Sequence, residues 1–168
     1  KHGTPVDPQL YTRAMQMGKY LPILRSHSTK DPALNKEPWA FDQAVQKRLK
    51  AVIDGRYALV PYIYTMCRRT HETGISLCRP MYYDYPEAPE AYDCKNEYMF
   101  GDNMLIAPIT QPIAPDEKYS HADVWLPEGK WLELETGSML DGGVTVKRSF
   151  SIDEYPVYVK AGSILPYF

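Results

Sequence analysis

The spacing of apolar residues changes near Gly74, and this change constrains the fold more than any other feature of the sequence. Before this glycine, apolar residues recur every three or four positions, the spacing typical of amphipathic helices. After it come short alternating runs bounded by turn residues such as Glu128-Gly129, a pattern typical of strands in an all-β domain. A helical region followed by an all-β region predicts two structural units. We place their boundary between residues 79 and 80, which gives units 1–79 and 80–168.

The first unit begins with a predicted helix over residues 7–20. Asp7 and Pro8 favour its start there, because an aspartate side chain caps free backbone amides and proline tolerates the first helical position. Its apolar and aromatic residues recur at helical spacing: Leu10, Ala14 and Met17, with Tyr11 and Met15 beside them. Residues 21–27 then form an apolar run that ends in polar groups, which predicts a short buried extended segment.

A second helical pattern covers residues 42–73. Asp42 is the expected N-cap, and Gly74 is the expected stop. Pro61 lies within the pattern and removes one backbone hydrogen bond, so a kink or break near residue 57 is predicted. The pattern therefore fits either one bent helix or two helices in series.

The first unit contains too few strands to complete a sheet of its own. Only residues 21–27 and 75–79 are strand candidates there. Two parallel strands cannot form a sheet that is buried on both faces. The unit is therefore predicted to be the closing portion of a larger barrel, and such a portion would expose an apolar face.

The second unit is predicted to be an antiparallel β-sandwich, because regularly spaced short strands separated by turn residues are typical of that architecture. The predicted strands cover residues 98–100, 104–109, 123–126, 130–134, 144–150 and 157–160. Residues 84–96 contain Pro86 and Pro89 among polar residues, so they are expected to form a linker or surface loop.

Composition and motifs argue against several classes of function. The net charge of −2 disfavours a broad basic surface for nucleic acids, and no apolar run of about 18 residues is present to span a membrane. The glycine-rich loops that bind nucleotides and the Gly-x-Ser-x-Gly motif of hydrolases do not occur. We therefore expect neither a nucleic-acid partner nor membrane insertion.

The cysteines and histidines do not form a metal-binding motif. No Cys-x-x-Cys pair and no His-Glu-x-x-His motif occur. Cys67 falls on a helical face and Cys78 in an apolar run, so both are expected to be small core residues. The sequence therefore predicts no metal ligand.

Seven motifs follow one another between residues 10 and 166. The first joins Leu10-Tyr11-Thr12-Arg13 to Pro22-Ile23-Leu24-Arg25-Ser26-His27-Ser28. The others are Glu37-Pro38-Trp39, Arg56-Tyr57 with Leu59-Val60-Pro61-Tyr62-Ile63-Tyr64, Arg79-Pro80-Met81, Phe100-Gly101-Asp102-Asn103-Met104-Leu105-Ile106-Ala107-Pro108, Leu126-Pro127-Glu128-Gly129-Lys130-Trp131 and Val159-Lys160-Ala161-Gly162-Ser163-Ile164-Leu165-Pro166. In this order they resemble the late barrel segments and the following β-domain of glycoside hydrolase family 31, which includes α-glucosidases and α-xylosidases.

This resemblance implies an α/β part followed by an all-β part: the C-terminal part of a (β/α)8 TIM barrel and then an antiparallel β-sandwich domain. It implies a retaining α-glycosidase that releases terminal α-linked glucose or xylose from oligosaccharides with two carboxylates. In this family both carboxylates are aspartates on earlier barrel strands, so no catalytic residue is expected in this sequence. The expected partners are an oligosaccharide substrate and the remainder of the barrel, on the same or a companion chain. Neither a metal nor an organic cofactor is implied.

The resemblance assigns three residues to sugar binding. His27 is expected to hydrogen-bond a sugar hydroxyl, since a neutral imidazole offers one donor and one acceptor. Arg25 is expected to contact sugar or to orient the loop by pairing with a carboxylate. Trp39 is expected to stack on a sugar face or to pack beneath the loop. The aspartates assigned instead to turns and strand ends are Asp84, Asp93 and Asp102.

Two other interpretations remain open at this point. The absence of an assignable carboxylate pair fits a non-catalytic carbohydrate-binding or structural module, and tight binding of α-glucosides by this chain alone would favour it. A β-domain for protein interaction with a helical extension is a third interpretation, and it predicts a stable monomer that melts cooperatively.

Overall fold

The computed structural model of the chain describes residues 5–168. Five α-helices and two single 3₁₀ turns lie in this range. The helices are α1 (Pro8–Lys19), α2 (Gln43–Ala58), α3 (Val60–Thr73), α4 (Met81–Asp84) and α5 (Glu90–Asp93), and the 3₁₀ turns are Pro32–Leu34 and Pro38–Ala40. None of these helices is long and apolar enough to cross a membrane.

Eight strands form two antiparallel sheets in the described range. They are β1 (Cys78–Pro80), β2 (Tyr98–Phe100), β3 (Met104–Ile106), β4 (Ser120–Leu126), β5 (Lys130–Glu133), β6 (Met139–Asp141), β7 (Val144–Phe150) and β8 (Val157–Lys160). Six strands pair in the order β1-β2-β3-β8-β5-β6, and β4 pairs with β7. The predicted antiparallel sandwich is therefore confirmed, with β6 as a strand that the sequence pattern did not indicate.

The helix boundaries follow the capping residues of the sequence. The Asp7 carboxylate accepts a hydrogen bond of 2.7 Å from the backbone N–H of Leu10, which starts α1 where it was predicted. The pattern over residues 42–73 forms two helices in series that meet at Leu59, with Pro61 in the first turn of α3. Gly74 ends α3 at φ 73°, a left-handed conformation that glycine adopts without steric cost.

The central strand β3 shows how the layers pack. Its alternate residues Met104 and Ile106 face a core shared with Tyr20 and Tyr62 from the helical part. Between them, Leu105 faces the opposite core. That second core contains Val124 and Leu126 of β4 together with Trp131. The six-stranded sheet is thus covered by helices on one face and by the β4–β7 pair on the other.

The apolar and aromatic residues predicted on α1 are divided between solvent and core. Leu10, Ala14 and Met17 are exposed, whereas Tyr11 and Met15 pack against α2. Further along its buried surface, α1 also carries polar side chains that bond to residues 151–154 of the β-domain. The buried surface of α1 is therefore partly polar, because one side of this helix donates hydrogen bonds to the carbonyl groups of a β-domain loop.

Four local predictions were wrong. Residues 21–27 form no strand and are largely exposed, since no strand within residues 5–168 lies beside them. Of the strand predicted at 75–79, only Cys78 and Arg79 lie in a strand, as part of β1. Cys67 is exposed on α3 and is not buried in a core. The predicted loop over 84–96 contains the short helix α5, which buries Ala91. In each case the local pattern did not determine which neighbour covers the segment.

Several large apolar side chains of the helical part are exposed to solvent. Ile23, for example, has an exposed fraction of 77%. The others on this part of the chain include Leu10, Trp39, Tyr57, Val60 and Tyr64. An exposed apolar surface of this kind was expected for a barrel portion, and it is typical of a contact surface.

Candidate functional site

The segment over residues 21–28 leaves α1 and carries the predicted site residues Arg25 and His27. Its start is held by Arg56 of α2. The guanidinium of Arg56 donates hydrogen bonds to the carbonyls of Lys19 at 2.9 Å, Pro22 at 2.7 Å, and Leu21. A cation at the carboxyl end of α1 also interacts favourably with the helix dipole. This contact fixes the direction in which the segment leaves the helix.

A close approach at Gly18 holds the middle of the segment against α1. A Cβ atom built on Gly18 would meet the Leu24 side chain at 2.5 Å, closer than a carbon contact allows. The absence of a side chain at Gly18 therefore makes room for Leu24. This packing brings residues 25–27 alongside the helix even though they have no strand neighbour in the described range.

Side-chain hydrogen bonds hold the end of the segment. The Tyr11 hydroxyl lies 2.7 Å from the Ser26 hydroxyl and donates to the Lys36 carbonyl at 2.9 Å. The Lys36 ammonium donates to the His27 carbonyl at 2.6 Å. The Ser28 hydroxyl donates to the Leu34 carbonyl. The backbone around His27 is thus fixed by side chains where a barrel strand would use a hydrogen-bonded ladder.

The contact between Arg25 and His27 defines the form of the neutral imidazole. Nη2 of Arg25 lies 3.0 Å from Nδ1 of His27. A guanidinium only donates hydrogen bonds, so Nδ1 accepts and the proton of the neutral ring sits on Nε2. Within residues 5–168, Nε2 of His27 has no hydrogen-bond partner. His27 therefore presents a free N–H donor at the surface.

These residues line a cavity of about 450 Å³ beside α1. Its polar lining includes Arg25, Ser26, His27 and Lys36. Its apolar lining includes Leu10, Ile23 and Leu24. A few polar groups converging on an otherwise apolar wall are typical of small-molecule sites, and the guanidinium and imidazole N–H groups here suit hydroxyl oxygens.

Trp39 lies apart from this cavity. It belongs to the 3₁₀ turn Pro38–Ala40, and its exposed fraction is 77%. The ring is therefore not packed beneath the loop, and one face is available to a ligand. The structure brings Arg25 and His27 into contact but does not bring Trp39 to them.

Sequence reasoning missed three residues of this site: Tyr11, Ser26 and Lys36. The bonds that join them span 15 and 25 positions of the chain, and no local pattern marks such pairs. The carboxylate partner considered for Arg25 is also missing, since no ion pair involves Arg25 among residues 5–168. Its partner is instead the imidazole two residues away.

The acidic residues outside this site have structural contacts. Nε of the buried Arg79 lies 2.9 Å from Oδ1 of Asp84, and its Nη2 lies 3.4 Å from Oδ1 of Asp102. Arg79 also donates to the carbonyl of Gly101 at 3.0 Å. Asp84 and Asp102 therefore anchor one edge of the sheet; Asp102 lies in a turn, whereas Asp84 ends the short helix α4. In the described range, no cluster of three or more His, Cys, Asp or Glu residues is arranged to hold a metal ion.

Two family models match successive parts of the chain. The model described as "Glycosyl hydrolases family 31 TIM-barrel domain" matches residues 2–66. The model described as "Glycosyl hydrolase family 31 C-terminal domain" matches residues 74–165. The second match alone covers more than half of the chain, so these matches show the family.

Relatives and solved structures agree with the family models. "Alpha-glucosidase 2" of Bacillus thermoamyloliquefaciens is 33% identical over 94% of this chain and 19% of its own length. "Alpha-xylosidase" of Saccharolobus solfataricus is 34% identical over 97% of this chain and 21% of its own length. The cycloalternan-forming enzyme from Listeria monocytogenes, solved in complex with a pentasaccharide substrate, is 36% identical with a TM-score of 0.87 over 97% of this chain and 16% of that chain.

The chain thus spans about a fifth of the length of the curated relatives it matches. The helices α1 to α3 precede most of the strands, and the barrel model matches before the C-terminal-domain model along the chain. The chain belongs to glycosyl hydrolase family 31 and comprises the end of the family's TIM barrel followed by its C-terminal domain.

Proposed function

We propose that this chain is the C-terminal portion of a retaining α-glycosidase that hydrolyses terminal α-linked glucose or xylose from oligosaccharides. The observation that carries the proposal is the free Nε2 donor of His27 at a cavity beside α1. The names of the relatives support the reaction, since they include an α-glucosidase and an α-xylosidase.

The two catalytic carboxylates of this reaction belong to the remainder of the barrel, on the same or a companion chain. A retaining mechanism needs one carboxylate as nucleophile and one as acid and base, with the two groups about 5 Å apart. The aspartates that bond to Arg79 already have structural partners. This chain therefore contributes sugar-binding groups, and it is inactive by itself.

His27, Arg25 and Trp39 are the proposed substrate-binding residues. The Nε2–H group of His27 donates to a sugar hydroxyl. Arg25 keeps the imidazole in the donating tautomer through Nδ1, and it lines the same cavity. Trp39 offers its exposed ring to the apolar face of a second sugar unit.

The exposed apolar side chains of the first unit are the proposed contact surface for the remainder of the barrel. They include Leu10, Ile23, Tyr57 and Tyr64. We keep units 1–79 and 80–168 as the proposed division, because α1 to α3 precede it and β2 to β8 follow it. The strand β1 spans the boundary and joins the last barrel segment to the six-stranded sheet.

The test uses the complete polypeptide that carries this chain, assayed on α-glucosides and α-xylosides. His27→Ala is expected to lower kcat/KM about 10-fold to 100-fold, because a substrate hydroxyl loses its donor. His71→Ala is the matched control, since His71 is an exposed histidine on α3, and it is expected to leave kcat/KM unchanged.

Two results would overturn the proposal. The first is a complete polypeptide that leaves α-glucosides and α-xylosides intact. The second is a His27→Ala variant with the kinetics of the parent protein. Tight binding of α-glucosides by this chain alone, measured by calorimetry without any hydrolysis, would instead favour a carbohydrate-binding module.

A further inference from the structure

The Tyr11 hydroxyl has a defined donor and acceptor arrangement. It has one proton, and a backbone carbonyl can only accept, so Tyr11 donates to the Lys36 carbonyl at 2.9 Å. The Ser26 hydroxyl, 2.7 Å away, must then donate to the Tyr11 oxygen. Tyr11 thus joins two parts of the loop that lie ten positions apart, and each contact depends on the hydroxyl alone.

Lys36 joins these contacts into a closed set around His27. We call this set of Tyr11, Ser26, His27 and Lys36 the circuit. Its carbonyl accepts from Tyr11, and its ammonium donates to the His27 carbonyl at 2.6 Å. The chain then runs one residue back from His27 to Ser26, which donates to Tyr11. The two consecutive bonds from Ser26 to Tyr11 and from Tyr11 to the Lys36 carbonyl reinforce each other, so losing the Tyr11 hydroxyl removes both.

The Tyr11 ring has little freedom to move. It is buried, and it stacks on Phe41 with ring centroids 5.2 Å apart and an angle of 19° between the planes. Two residues along α1, Arg13 donates to the carbonyls of Ser151 and Glu154 at 2.9 and 2.6 Å. The helix that carries Tyr11 is therefore anchored to the β-domain, and the Tyr11 hydroxyl has a fixed position.

We propose that Tyr11 is a positioning residue for sugar binding, and that its hydroxyl sets the place of the His27 imidazole relative to the substrate. The inference rests on the proposed function, because it concerns how the same site is held. The hydrogen bonds of Tyr11 and Lys36 hold Ser26 and the His27 carbonyl in place. A binding group held loosely loses affinity even when its chemistry is intact.

The test replaces Tyr11 by phenylalanine in the complete polypeptide. Tyr11→Phe keeps the ring stacked on Phe41 and removes only the hydroxyl. We expect KM for an α-glucoside to rise about threefold to tenfold, the equivalent of one hydrogen bond, with kcat little changed. Backbone amide exchange in residues 26–36 is expected to become about threefold faster or more.

Thr12→Val is the matched control. Thr12 is a buried neighbour on the same helix, and its hydroxyl donates to the Pro8 carbonyl at 2.8 Å without contacting residues 26–36. Its removal is expected to change neither KM nor the exchange of those residues. Ser26→Ala should reproduce the effect of Tyr11→Phe. The double variant should show less than the product of the two single effects, because both remove the same circuit.

The outcomes separate this inference from the function on which it rests. If His27→Ala lowers kcat/KM but Tyr11→Phe leaves KM unchanged, the positioning role is wrong and the proposed function stands. An equal rise in KM for Thr12→Val and Tyr11→Phe also contradicts positioning, because it indicates a general effect on α1. If His27→Ala has no effect, the proposed function falls, and the role of Tyr11 in sugar binding falls with it.

Discussion

Two segments of this chain were both predicted as strands, and only one became a strand. β3 pairs with β2 on one side and with β8 on the other, and all three of its side chains are buried. Residues 21–27 pair with no strand in the described range and are largely exposed. A strand pattern therefore becomes a strand only where neighbours supply hydrogen bonds and cover.

The two segments are also held by different forces. β3 depends on backbone hydrogen bonds and on apolar contacts with two cores. The segment around His27 depends on side-chain bonds from Arg56, Tyr11 and Lys36. Substitutions in the two regions should consequently differ in size and in the property that they change.

The largest expected effect is on stability in the sheet. Leu105 has no exposed surface, so Leu105→Ala is expected to lower the free energy of unfolding by about 3 kcal/mol through lost burial and a cavity. Ile23→Ala removes a side chain that is 77% exposed, and its cost should stay below about 0.5 kcal/mol in this chain. Urea unfolding of both variants measures the difference.

The same pair of variants sharpens the comparison in the complete polypeptide. If the remainder of the barrel covers Ile23, the cost of Ile23→Ala should rise there to about 1 kcal/mol or more, while that of Leu105→Ala stays the same. Equal costs for Ile23→Ala in both settings would show that its side chain stays exposed.

A second, smaller effect is expected where helix α1 contacts the β-domain. Arg13 donates to Ser151 and Glu154 carbonyls while buried, so Arg13→Met should cost about 2–3 kcal/mol by leaving those carbonyls unsatisfied. Arg48 reaches the same loop through an ion pair of 2.7 Å with the exposed carboxylate of Asp153.

Arg48→Met is the control for this interface, and its cost should not exceed about 1 kcal/mol, because exposed ion pairs contribute little. Thermal unfolding of both variants under one set of conditions provides the measurement. If the two variants destabilise the protein equally, the buried contacts of Arg13 contribute no more to stability than the exposed ion pair of Arg48.

The smallest predicted effect depends on pH. Burial raises the pKa of Glu97 from 4.5 to about 7, although its Oε1 accepts a hydrogen bond of 2.9 Å from the Trp125 N–H. The other oxygen, Oε2, has no hydrogen-bond partner among residues 5–168. Between pH 4.5 and about 7 the folded state binds more protons at Glu97 than the unfolded state. This residue therefore makes the protein less stable as pH rises through that window.

Glu97→Gln removes the charge and keeps an oxygen that accepts from Trp125. We expect the variant to be more stable than the parent by about 1–2 kcal/mol at pH 8 and nearly equal to it below pH 4.5. Urea unfolding at the two pH values measures the change. A gain of the same size at both pH values would contradict an origin in the ionised carboxylate.

Much of the local structure follows from the sequence, because it depends on residues close in the chain. Asp7 and Pro8 start α1, and Pro61 accompanies the division of the second helical pattern into α2 and α3. The strands β2, β7 and β8 have their predicted bounds. The ordered motifs, which include the segment with Arg25 and His27, also indicated the family. The order of motifs can be recognised in a sequence without any knowledge of packing.

Only the tertiary structure decided which surfaces are covered and which side chains meet. In the tertiary structure residues 21–27 are largely exposed and Leu10 is exposed. Tyr11 forms hydrogen bonds with Ser26 and Lys36. Burial and long-range hydrogen bonds depend on elements that approach from distant parts of the chain. Periodicity records only the preferences of each segment by itself. The sequence therefore named candidate site residues without revealing the long-range bonds that hold them in place.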